Sequence, residues 1–60
     1  MTPDQLSKGD TVYHRTERYL GDVTGHATEP LTGERLVMVQ PLGSPVTRPV
    51  DPALLAHVAD

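Results

Sequence analysis

Three sets of side chains in this chain have the residue types for chemistry or recognition. The first is the run Tyr13-His14-Arg15-Thr16-Glu17-Arg18-Tyr19, which gathers both tyrosines and two of the five Lys and Arg around one turn. Tyr and Arg combine large contact area with directional polar groups and dominate binding hot spots, so Tyr13, His14, Arg15, Arg18 and Tyr19 are the candidate partner-binding residues. A plain solvated strand end is the alternative, and on residue types alone both readings stand. The second set is His14, His26 and His57. Zinc takes three or four closely spaced ligands, whereas these histidines lie far apart in a chain without cysteine or a His-x-x-x-His pair. His14 and His26 facing one another across paired strands would make a metal-binding or pH-sensitive contact. Surface or hydrogen-bonded structural histidines are the simpler expectation, and His57 near a helix C-terminus would meet the negative end of the helix dipole. No metal and no cofactor are expected.

The third set is Asp10, Glu17, Asp22, Glu29 and Glu34, most of which border turns. Acid and base catalysis needs two groups converging on a pocket in environments that push their pKa values apart, and a domain this small has little room for one. Asp10 and Asp22 fit turn positions where a carboxylate accepts from nearby backbone N–H groups. There is no Gly-rich phosphate loop and no Gly-x-Ser-x-Gly, and Ser7 and Ser44 fall in turns. The reading is non-enzymatic.

The elements that must position these residues are bounded by size and composition. Sixty residues make one domain, residues 1–60, since a chain this short hides only about 60% of the surface its unfolded form exposes. Hydrophobic residues are 37% of the chain, with no Phe and no Trp, so Val and Leu must fill the interior. Val is stiff at χ1 and suits a pleated surface, which favours strands. The absence of Cys fits a reducing compartment, no apolar stretch approaches a bilayer span, and the first ten residues lack the blocks of a signal peptide. A soluble, cytoplasmic protein is expected. The formal charge of −3, with only five Lys and Arg, disfavours nucleic acid as the default partner.

Along the chain, Thr2-Pro3-Asp4 starts a single helical turn over residues 3–7, a lid that tucks Leu6 under the core. Gly9-Asp10 marks a turn. Residues 11–17 then read as a strand with Val12, His14 and Thr16 on one face and Tyr13, Arg15 and Glu17 on the other. Residues 18–21 are the next turn, and residues 22–28 a second strand with Val23 inward and a bulge or bend at Gly25. Residues 29–33 form a hairpin connection into residues 34–40, whose Leu36-Val37-Met38-Val39 run marks the central strand, covered at least in part on both faces. After a turn at residues 41–44, residues 45–50 make an edge strand, because Pro45 and Pro49 cannot donate to a ladder; Val46 and Val50 share its inner face. Asp51 caps a short helical turn with Pro52 in its first turn and Leu54, Leu55 and Val58 as its apolar stripe. Of the two continuations, helix to the end or a last strand over residues 56–59, the strand is preferred because pairing with the first strand removes an exposed edge.

The order Gly9-Asp10-x-Val12-x-His14, Gly21-x-Val23, Val37-x-Val39 and Val50 before a tight turn ending in Leu54-Leu55 resembles the SH3-like barrels of the Tudor and KOW type. It is similar to the Tudor-like domain at the C-terminus of some bacterial helicases and to the polymerase-interacting domain of CarD-like transcription factors, over most of residues 8–58. Where those families place Gly-x-Gly before the valine, this chain has Gly21-Asp22, and the aromatic that precedes the glycine is displaced to Tyr19. The resemblance implies an all-β, five-stranded SH3-like barrel with a partner-binding surface, often for a polymerase, ribosome or helicase component.

The function expected is a small non-enzymatic protein-interaction module, an adaptor or regulatory barrel docking on a larger protein assembly, with a transcription-related role among those the resemblance implies. The binding surface is the Tyr13 to Tyr19 region together with the edge strand near Pro45 and Pro49. The rival is a nucleic-acid-binding barrel using Lys8, Arg15, Arg18, Arg35 and Arg48 gathered on one face. A third reading is a homo-oligomer that buries the outer face of residues 36–39. No membrane partner is expected.

Overall fold

One strand is long enough to serve two halves of the sheet, and its sequence shows why it bends. A computed structural model describes residues 5–58 of the chain. Five strands, β1 (Thr11–His14), β2 (Tyr19–Thr28), β3 (Arg35–Pro41), β4 (Arg48–Val50) and β5 (Leu55–His57), form one antiparallel sheet in the order β4-β3-β2-β1-β5. β2 has ten residues. Its register with β3 slips between Val23 and Gly25, leaving Thr24 as an extra residue whose hydroxyl reaches the Met38 carbonyl at 3.4 Å. The expected irregularity beside Gly25 is therefore present, and it increases the local twist so that the strand can follow β1 at one end and β3 along its length.

All five strands send residues into one core. Val12, Val23, Val37, Val39, Val50 and Leu55 are buried at 6% exposure or less, joined by Leu6 at 1% from the segment before β1. With no second sheet and no α-helix among the described residues, these side chains leave water only because the sheet wraps around them. The valines recur at every second residue along β3, where Val37 and Val39 are buried and Leu36 and Met38 half-buried. Chain order, strand order and the short 3₁₀ turn between β4 and β5 fit the all-β class and are consistent with a small SH3-like barrel. No ladder joins β4 to β5, so the sheet is not closed by hydrogen bonds.

The C-terminal segment takes the strand alternative. Asp51 accepts the Ala53 N–H at 2.9 Å and caps a 3₁₀ turn over Pro52–Leu54, and the chain then extends into β5 against β1 in the register Val12↔His57, Tyr13↔Ala56, His14↔Leu55. Leu55 is buried while Leu54 faces solvent, so the two leucines do not form one stripe.

Several expectations are corrected. β1 stops at His14, and the turn lies at residues 15–18, closed by the Arg18 N–H on the His14 carbonyl at 2.8 Å, with Arg18 at φ 60°. Tyr19, Leu20 and Gly21, expected in a turn, are strand residues. The middle of the sheet is β2 rather than the apolar β3, because the hairpin at residues 29–34 and the edge strand β4 place β3 one position out. β4 is an edge strand as its prolines require, but it begins only at Arg48, so Val46 is 56% exposed and shares no inner face with Val50. Asp22 lies within β2 and accepts from the Thr11 hydroxyl, whereas Asp10 does act as a turn residue and accepts the Ser7 N–H at 2.9 Å. The expected helix start at Pro3 and Asp4 lies outside the described residues.

Candidate functional site

Strand alternation splits the Tyr13 to Tyr19 run between two sides of the sheet. Val12 and His14 face the core, so Tyr13 between them faces out. His14 is only 5% exposed. Its ring stacks on Tyr19, its partner across the β1–β2 ladder, with centroids 5.0 Å apart and planes 28° from parallel. Its Nδ1 accepts the Glu17 N–H at 3.0 Å, which puts the imidazole proton on Nε2 in the neutral ring, 3.7 Å from the Glu17 carboxylate. His14 thus locks the β1–β2 turn from inside.

Tyr19 packs its ring against the core and buries its hydroxyl without a hydrogen-bond partner. Burial raises the phenol above its ordinary value of 10.0, the Glu17 carboxylate adds to the rise, and Arg48 opposes it. Of the five sequence-derived candidates, the structure therefore buries His14, packs the half-buried Tyr19 against the core on the same inner side, and leaves Tyr13 half-buried on the outer face with Arg15 and Arg18 exposed at the adjoining turn.

Around Tyr13 the ladder assembles a ridge that sequence reasoning missed. Leu20 on β2 and Ala56 on β5 stand directly opposite Tyr13, and directly opposed residues share a face. The Leu42 N–H donates to the Leu20 carbonyl at 2.9 Å, which continues the β2–β3 pairing past Pro41 and sets Leu42 beside Leu20. The Arg15 N–H donates to the Leu54 carbonyl at 2.9 Å, which continues the β1–β5 pairing past Leu55 and sets Leu54 opposite Arg15 at the β5 edge. Leu20, Leu42 and Leu54 are 42%, 60% and 39% exposed, three of the five exposed large hydrophobics among the described residues. The signal in the sequence was weak, since each leucine is separate and only the pairing register brings them together.

The other histidines hold the fold. His26 pairs with Val37, not with His14, so the alternative of a metal-binding or pH-sensitive contact between them does not form, and both are hydrogen-bonded structural histidines. Its Nε2 lies 2.7 Å from the Leu6 carbonyl and pins the segment before β1. His57 sits on β5 rather than at a helix end, with Nε2 3.5 Å from the Asp10 carboxylate. Among the described residues no three His, Asp or Glu side chains gather into a group able to hold a metal ion. A depression of about 330 Å³ lies at the other end of β3 from Leu42, lined by Glu34, Arg35, Asp51 and Pro52. Its Asp51 carboxylate already caps the 3₁₀ turn. No family model matches the chain, and neither a curated protein nor a solved structure shows significant similarity to it.

Proposed function

We propose that this chain is a non-enzymatic protein-interaction module that docks through the outer face of β5, β1 and β2. The observation that supports the reading most is the ridge of Leu54, Tyr13, Leu20 and Leu42, with Arg15 and Arg18 in the β1–β2 turn beside it. Single exposed apolar residues are ordinary on a protein surface, but a contiguous set beside Tyr and Arg has the composition of interface centres. We read the domain as an SH3-like barrel of the Tudor or KOW type, working in the cytoplasm as an adaptor on a larger assembly. The meandering strand order and the 3₁₀ turn between β4 and β5 support that assignment. Among the described residues no helix is long and apolar enough to cross a membrane.

The nucleic-acid alternative needs the cations on one face. Arg15 lies beyond β1 and Arg18 in the turn, while Arg35 begins β3, Arg48 begins β4 and Lys8 precedes β1, which favours a protein partner. The test is affinity capture from the source lysate with wild-type protein and with Tyr13→Ser and Leu42→Ser variants. A specific partner retained by wild type and lost by both variants, with unchanged circular dichroism, supports the reading. Equal capture by folded variants rejects this face.

A further inference from the structure

The docking reading leaves the class of ligand open, and charge at the ridge narrows it. Arg15 and Arg18 are exposed, and neither side chain has an ion pair or hydrogen bond among the described residues. The two nearby carboxylates are exposed, each with a contact inside the fold. Glu17 lies 3.7 Å from the buried His14 Nε2, and Asp22 accepts from Thr11 at 3.3 Å. In a molecule of net charge −3, the turn at residues 15–18 therefore carries two guanidinium groups against the one carboxylate of Glu17, a locally positive site next to the ridge. Guanidinium pairs carboxylates in a planar, bidentate geometry that lysine does not match.

The dimensions favour a short segment over a folded partner. The ridge crosses from the β5 edge over β1 and β2 to the end of β3, three inter-strand steps of about 4.8 Å, or roughly 14 Å. Four or five residues of extended peptide cover that length at about 3.3 Å each. A standard protein–protein interface takes about 800 Å² from each partner, a fifth of the 3974 Å² surface of this chain. A second copy is a poor match as well, since it carries the same positive turn at residues 15–18.

We infer that the ridge receives an extended peptide segment whose apolar side chains lie over Tyr13, Leu20 and Leu42 and whose flanking Asp or Glu carboxylates pair with Arg15 and Arg18. This rests on the docking reading above. The apolar ridge supplies contact area, and the arginines in the β1–β2 turn beside it discriminate against neutral or basic segments.

Fluorescence anisotropy tests it with three sets of short labelled peptides sharing a Leu- and Tyr-rich centre, flanked by Glu, by Gly and Ser, or by Lys, and with a labelled single-stranded oligonucleotide. The Glu set is expected to bind about tenfold tighter than the Gly-Ser set, to weaken with added salt, and to lose that advantage in the Arg15→Glu/Arg18→Glu protein, where the Lys set takes over. Equal binding of the three sets, preference for the Lys set, or tighter binding of the oligonucleotide than of any peptide overturns the inference. If Tyr13→Ser and Leu42→Ser abolish lysate capture while the Glu set shows no advantage, the docking face stands and the ligand class falls. If neither variant changes capture and no peptide binds, both fall.

Discussion

Gly21 offers the sharpest check on the packing, because the reason for a glycine there is spatial. It stands opposite Val12 on β1 and Pro41 on β3. A Cβ on its backbone would lie 2.6 Å from Val39 Cγ1 and 3.0 Å from the Gln40 carbonyl oxygen. Val39 is fully buried and β-branched, so its methyl has no free rotamer to move into, and the carbonyl belongs to the β3 backbone. Gly21→Ala must therefore push β2 and β3 apart or distort Val39. Overpacking of this kind costs about 1–3 kcal/mol, against which the smaller conformational freedom of Ala in the unfolded chain offsets about 0.4–1 kcal/mol.

A net loss of about 1–2 kcal/mol, at about 4–8 °C per kcal/mol for a domain this small, lowers Tm by roughly 4–16 °C. Gly25 is the internal control, since a Cβ there meets nothing within 4 Å. Its Ala variant should melt at or slightly above the wild-type temperature. Both melts are read by circular dichroism at one concentration and pH. A Gly21→Ala protein as stable as wild type, or a Gly25→Ala protein destabilised to the same extent, would refute the close approach of β2 to β3.

Two further outcomes follow from the interior. Leu6→Ala removes a side chain that is 1% exposed and should cost about 2–5 kcal/mol in urea unfolding; a cost under 1 kcal/mol would mean that the segment before β1 is not part of the core. Tyr19→Phe removes a buried hydroxyl without a partner, so at neutral pH the variant should match wild type or gain up to about 1 kcal/mol. Because burial raises the phenol above 10.0 in the folded protein, the native state holds its proton where the unfolded chain releases it. That contribution is intact below the unfolded value and disappears as pH climbs through the folded one, so wild type should lose stability above about pH 10 more steeply than the Phe variant. Identical alkaline profiles would refute the assignment.

The core was the most legible part of the sequence. Val12, Val23 and Val50 could be assigned inward because a side-chain period of two leaves only one face for each strand to bury, whereas the continuous run at residues 36–39 marked a strand without telling its buried face. Asp51-Pro52 marked the start of the last turn by local chemistry, and the need to cover an edge favoured a strand after it. Gly21 misled for a physical reason. A turn glycine and a glycine at a close backbone approach both lack a Cβ for good cause, and the residue type is the same in the two cases. Val46 misled because alternation was extended through Pro45 into a stretch that does not pair. For the site, Tyr13, Arg15 and Arg18 were found from residue type and His14 was read on the face of Val12, but the inner side of Tyr19 was hidden because residue 19 was read in a turn and is instead a strand residue opposite His14. Leu20, Leu42 and Leu54 acquire meaning only through inter-strand register, a property of tertiary pairing that no local pattern carries.

The short pairing of β5 with β1 also governs how the molecule is made. During translation β1 emerges early, while the buried Leu55 and the backbone that pairs with its outer side, Leu55–His57, come only after the other strands. Until then the nascent meander carries a bare β1 flank and a breached interior. Ribosome-stalled chains cut before Leu55 should accordingly be digested readily by protease, and those extended past His57 by a flexible linker long enough to clear the exit tunnel should resist.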